Sequence, residues 1–184
     1  MKRMVTKILG WATGRRVIQS ILVAVGGGFA LFRFGPYAQV SSLAGPLPEE
    51  AVSSRADLHG FLQELGAGGR ELYATFQVWD FLNPLLLGFV SVALVGWLLG
   101  RSRLVQGRTV AAAIPFTAPV ADATENVVLL LTIAAFPSDP WVGALFPVVT
   151  SVKFLGLVAT LLLIIALSVL AIQRRGNPST TTAT

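Results

Sequence analysis

Four long apolar stretches constrain this chain more than any other feature of it. A membrane-spanning helix needs about 20 predominantly apolar residues. Such stretches run over about 17–34, 79–99, 110–136 and 148–172. The fold class they predict is all-α: a four-helix transmembrane bundle over residues 1–172, followed by a disordered cytoplasmic tail over 173–184. Composition agrees with this reading. Only 12% of the 184 residues are charged, against about 25% in soluble domains, which excludes an ordinary soluble fold.

The formal net charge of +5 does not indicate nucleic acid, because the basic residues are not spread over a groove. They gather beside the apolar stretches: Lys2, Arg3, Lys7, Arg15 and Arg16, then Arg101, Arg103 and Arg108, then Arg174 and Arg175. Basic residues concentrate on the cytoplasmic side of membrane proteins. With four spans, all three clusters fall on one side. Both termini are therefore expected in the cytoplasm, with residues 35–78 and the 137–140 turn facing outward. The first stretch has a basic start and an apolar core, as a cleaved leader does. Its long basic lead, and the lack of a small-residue cleavage site before Pro36, read as a retained anchor.

The chain has no cysteine and one histidine, His59. Disulfides, thiolate metal sites and multi-histidine metal sites are excluded, and no cofactor or metal motif is present.

The outward loop carries a pattern of its own. Pro46 and Pro48 interrupt the chain. Ser54 then reads as an N-cap with Asp57 in the first turn, and Leu58, Phe61, Leu62 and Leu65 follow at helical spacing up to Gly66. This predicts a short amphipathic helix, either resting on the bundle as a lid or offered to a soluble partner. In the first span, Ala24/Gly28 and Gly26/Ala30 are small-residue pairs that permit close helix approach, within the chain or between two copies.

Ionisable residues in apolar sequence mark the candidate site. Each costs several kcal/mol in lipid unless paired or hydrated, so such residues tend to be functional. Asp122, Glu125 and Asn126 share one face of the third span. Pro119 precedes them and predicts a helix break there, which would set Asp122 at a helix N-terminus. Broken helices of this kind line cavities in transporters. The second span is approached by Arg70, Tyr73, Gln77, Asp80 and Asn83, all within an arc of about 140°. The fourth carries Thr150, Lys153 and, one face-repeat further in, Thr160. Counted at about 1.5 Å per residue from the basic clusters, Asp80, Asp122, Glu125 and Lys153 lie in the outer half of the bilayer core. The turn near Ser138 independently sets Lys153 opposite about residue 123. A lysine–carboxylate pair is expected at this level, either as a register-fixing ion-pair network or as the wall of an outward-open polar cavity. The candidate site comprises Arg70, Tyr73, Asp80, Asn83, Asp122, Glu125, Asn126 and Lys153.

Gly69-Arg70-Glu71-Leu72-Tyr73, Asp80 with Pro84, Asp122-x-x-Glu125-Asn126 and Thr150-x-x-Lys153 resemble a pattern found in an uncharacterised family of small bacterial four-span integral membrane proteins. The resemblance covers about residues 60–172. It implies one shared site and the inner membrane of a bacterium, and carries no chemistry with it. The chain lacks the histidines of alkaline-ceramidase-type hydrolases and the cysteines of vitamin K epoxide reductases, and no motif of the sterol isomerases is found.

Three functions fit these residues. The first is binding, with a transport role, of a small cation or of the polar head group of an amphiphile. Asp80, Asp122 and Glu125 would accept, and Lys153 and Arg70 would complement an anionic group. The second is a membrane-embedded lipid-acting enzyme using Asp122 or Glu125 as general acid/base; no nucleophile constellation or oxyanion-hole motif is visible. The third is a structural or accessory protein partnering through the loop helix. Beyond the lipid bilayer and such a ligand, no partner is indicated.

Overall fold

The computed structural model describes residues 6–7, 10–102, 104, 106–138 and 140–176. Lys2, Arg3, Arg103 and residues 177–184 of the tail expected over 173–184 lie outside the described residues, while residues 173–176 are helical and continue the last helix. The α-helices given bounds among the described residues are, in order, α1 (Gly14–Phe34), α2 (Tyr37–Ala44), α3 (Arg55–Glu64), α4 (Gly66–Asp80), α5 (Leu82–Arg101), α6 (Arg108–Ala113), α7 (Thr117–Ala135) and α8 (Phe146–Gly176). There is no strand among the described residues. Among the described residues, four helical stretches are long and apolar enough to cross a membrane: Gly14–Phe34, Gly66–Arg101, Arg108–Ala135 and Trp141–Gln173. Their exposed faces are apolar, with Leu22 66%, Leu85 70% and Leu155 69% accessible. Water would not tolerate surface of that extent, whereas acyl chains match it.

The helix of the second span begins at Gly66, well before the expected start near 79. Residues 66–80 are too polar for a hydropathy criterion, yet they are helical and bury Tyr73, Gln77 and Asp80. The stretch is interrupted at Phe81, between α4 and α5. The cause is local: Pro84 has no N–H to offer the Asp80 carbonyl four residues back.

The third span breaks earlier than expected. A 3-10 turn over Ile114–Phe116 separates α6 from α7, so the break sits at Pro115 and not at Pro119. Pro119 falls in the first turn of α7, where a missing N–H is harmless. Asp122 is thereby moved to the second turn of α7, beyond the reach of the helix terminus.

α7 packs along α8, α1 along α5, and α5 contacts both α7 and α8. Gly156 permits the closest approach: a Cβ there would lie 2.8 Å from the backbone nitrogen of Ala118. In α1 the close contact is made by Gly27, whose added Cβ would meet Leu86 at 2.6 Å, while Gly26 and Gly28 face open space. Of these three consecutive glycines, contact within the chain therefore uses the one outside the two small-residue pairs.

The segment joining α1 to α4 folds back over one end of the helices. Ser54 caps α3 in a reciprocal arrangement with Asp57, whose side chain accepts from the Ser54 backbone at 2.8 Å. That hydrogen bonding holds the exposed Asp57 carboxyl below its ordinary value. Leu58, Phe61 and Leu62 of α3 are buried. Gly66, at φ +64, makes the turn into α4 in a conformation that favours glycine. Arg55 donates to the Pro140 carbonyl at 3.2 Å, and His59 lies against Phe136. Two apolar clusters result. One joins Leu31, Val40, Leu47, Leu58, Phe61, Leu62, Tyr73, Phe76, Leu129 and Phe146 at the end covered by the folded-back segment. The other joins Val95, Leu98, Leu99, Ala111, Ala112 and Leu167 toward the opposite end.

Candidate functional site

Between the two apolar clusters lies a polar layer. α7 supplies Asp122, Glu125 and Asn126 from adjacent turns, which are 4%, 0% and 0% exposed. α8 supplies Thr150 and Lys153, three residues apart on one face. The Lys153 ammonium forms an ion pair with Glu125 and lies 3.6 Å from Asp122 Oδ1. Glu125 also accepts from the Thr150 hydroxyl. Asn83, at the start of α5, donates to Asp122 Oδ2 at 3.3 Å. Asp80, the last residue of α4, accepts from Asn126 Nδ2 at 3.1 Å. Lys153 thus lies opposite Asp122 and Glu125, the position set for it by the turn near Ser138.

The residue that sequence reasoning missed is Glu49. It lies outside the apolar helices, in a 3-10 turn over Pro48–Glu50, yet it is only 9% exposed. Its carboxylate accepts from Tyr73 Oη at 2.6 Å and from Gln77 Nε2 at 2.5 Å. Its backbone carbonyl accepts from Lys153 Nζ at 3.0 Å. Burial pushes the Glu49 carboxyl from its ordinary 4.5 up to about 7, partly offset by the Tyr73 and Gln77 hydrogen bonds. The one sequence signal is Pro48, which favours the first position of a tight helical turn and so sets the direction of Glu49. Tyr73 belongs to the layer through Glu49, and Gln77 and Thr150 are full members of it.

Arg70 is not brought to the carboxylates. Its guanidinium donates to the Leu62 carbonyl at 2.9 Å and lies 4.2 Å from the Phe136 ring centre. Carbonyls at the end of α3 lack helical partners and attract a cationic donor, and the fold brings that end close to Arg70.

In this structure the layer is closed. Glu49 and its neighbours cover it from the folded-back end. Tyr37 donates to Glu50 Oε1 at 2.5 Å, and Ser53 donates to the Pro48 carbonyl at 2.9 Å, fastening the covering turn. Two polar atoms inside the layer lack a hydrogen-bond partner: Gln77 Oε1 and Asn126 Oδ1, both on side chains 0% exposed.

Two large grooves lie on apolar faces. One, of about 560 Å³, runs between α5 and α7 and is lined by Phe81, Pro84, Leu85, Pro119, Val120 and Val127. A second, of about 470 Å³, lies between α7 and α8 and is lined by Phe116, Thr117, Ala121, Val148 and Val152.

Compared with family models, with curated proteins and with solved structures, the chain matches none.

Proposed function

We propose that the chain is a multi-pass membrane protein whose four apolar helices form a bundle around a charged site that binds a cation, with a transport role when the site opens. The observation that carries this reading is the charge imbalance of the buried layer. Glu49, Asp80, Asp122 and Glu125 share the layer with a single ammonium, that of Lys153, which touches the carboxylates of Asp122 and Glu125, among the described residues. Carboxylates removed from water without compensation are costly, by several kcal/mol each. A bound positive charge offsets that cost. Register alone requires one lysine–carboxylate pair and leaves the remaining acids unexplained.

Opening is assigned to residues 45–54. They lie outside the apolar helices, cover the layer, and are held by the polar contacts of Glu49 together with Leu47 in the apolar cluster. Their withdrawal, with α3 as an amphipathic lid, would turn the closed layer into an outward-facing cavity. The orientation proposed is both termini cytoplasmic, in the inner membrane of a bacterium. A reporter fused after Thr184 that is active only outside the membrane would overturn it. Membership of the small four-span family belongs to the same reading and is supported by the convergence of Asp122, Glu125, Asn126 and Lys153.

The test is thermal denaturation of the purified protein in sodium, potassium, magnesium, calcium and choline chlorides at constant ionic strength, repeated across pH. Saturation near 100 times Kd would stabilise by about 2.7 kcal/mol. The expected result is a stabilisation specific to one cation, protons included, that Asp122→Asn weakens. Indifference to every cation and to pH would sink the reading.

A second reading, the polar head group of an amphiphile, is favoured by the groove between α5 and α7. Its lining residues Phe81 and Pro84 flank Asn83, which already touches Asp122. Stabilisation by a long-chain amine but not by a short one would select it.

A further inference from the structure

The cation-binding reading leaves the identity of the cation open, and the two unpartnered amide oxygens address it. Gln77 gives its N–H to Glu49, and Asn126 gives its N–H to Asp80, while the carbonyl oxygen of each amide has no donor. Both amides are 0% exposed, and a buried acceptor left unpaired costs about 1–3 kcal/mol. The group that completes a primary amide is a carboxylic acid, because it accepts the amide N–H and returns an O–H. A carboxylate can only accept. Turning either amide over does not remove the deficit, since its carbonyl would then face the carboxyl oxygen and again require a proton between them.

We propose that the cation bound at this site is the proton, and that Glu49 and Asp80, each paired with an amide, carry it. This rests on the cation-binding reading above. Each of the two protonates at a carboxylate oxygen and no other bond changes. The remaining two carboxylates, Asp122 and Glu125, are those in contact with Lys153. A metal ion fits less well. Each carboxyl is held by a donor of its own, and among the described residues no three acidic or histidine side chains are placed to share a metal. The charged and titratable groups facing Glu49 are Lys153 from α8, Glu125 from α7, Asp80 and Tyr73 from α4, and Tyr37 from α2. Of these, Lys153 alone is cationic, and its contact with Glu49 is to the main-chain carbonyl. Glu49 also lies in the covering turn, so its proton and the closure of the site are linked.

The test is infrared absorption of the full-length protein in lipid near neutral pH, where a protonated carboxyl has a C=O band that a carboxylate lacks. Two such bands are expected, one shifted by carbon-13 glutamate and one by carbon-13 aspartate. The wild-type chain suffices for this measurement. Glu49→Gln should remove the first band and Asp80→Asn the second; both substitutions are isosteric with the acid form. No acid band at neutral pH would mean that water supplies the missing donors, and would overturn the inference. Bands that survive both substitutions would overturn it as well, by assigning the protons to Asp122 or Glu125. If the bands are absent but sodium or another metal cation stabilises the protein, the proton is excluded and the cation-binding reading survives. If both are absent, both fail.

Discussion

Lys153 Nζ donates to the backbone carbonyl of Glu49 at 3.0 Å, across 104 residues of chain. One ammonium thereby ties the covering turn to the Asp122–Glu125 pair in α7. Because the contact is to the main chain, changing the Glu49 side chain leaves the tether in place. The effects of Glu49 variants therefore report on its carboxyl alone.

Removing Lys153 leaves two buried carboxylates uncompensated. Breaking a buried pair in this way costs about 3–5 kcal/mol. Lys153→Met is expected to lower thermal stability in detergent, and Lys153→Met with Glu125→Gln to recover more than half of the loss. Strictly additive losses in that double-mutant cycle would show that the two side chains are not coupled.

The covering turn is expected to loosen as pH rises. The docked Glu49 carboxyl keeps its proton up to about pH 7, whereas in water it would lose it near 4.5. Docking is thus at full strength below pH 4.5, and weakens as pH climbs from there to about 7. The loss above that window amounts to about 3 kcal/mol. Leu47, 3% exposed beside Glu49, provides the readout in a chain without cysteine. Labelling of Leu47→Cys by an impermeant thiol reagent, divided by that of Val52→Cys at a 61% exposed position, should rise about tenfold or more between about pH 6 and about pH 8.5. Glu49→Gln should flatten the rise. A pH-independent ratio in the native background would contradict the linkage.

Gly156 permits the tight approach of α8 to α7. Gly156→Ala would place its Cβ against the Ala118 backbone, which cannot give way as a side chain can. A loss of about 1–3 kcal/mol is expected from overpacking. Gly26→Ala, facing open space, should be neutral or should stabilise by up to about 1 kcal/mol through helix propensity. Equal melting temperatures for the two variants would count against the α7–α8 packing described here.

Ser54→Ala removes the side-chain acceptor at the start of α3 and frees the Asp57 carboxylate of its hydroxyl donor. A local loss of about 1 kcal/mol is expected. It should be read as faster amide hydrogen exchange over 55–64, with exchange in α7 and α8 unchanged. Equal acceleration in α7 would show that α3 is not a separately opening unit.

Much of this arrangement was legible in the residues alone, because the information is local or periodic. Apolar length marks the spans, charge at their ends marks the sidedness to be tested, and spacing of three and four puts Asp122, Glu125 and Asn126 on one face. Depth counted from the helix ends was enough to set Lys153 opposite them, since a helix advances by a constant rise per residue. Tertiary structure decided what local rules cannot express. Pro115 and Pro119 both invite a break, and only packing against α5 and α8 selected the first. Arg70 lies on the same helical arc as Asp80, but the end of α3 folded near enough to claim it. Glu49 sits in a segment with no helical periodicity to mark it as buried. Its place in the layer depends on a chain reversal that brings residues 49, 73, 77 and 153 together. Helical position is set by near neighbours, whereas contact across 104 residues is set by the free energy of the whole fold.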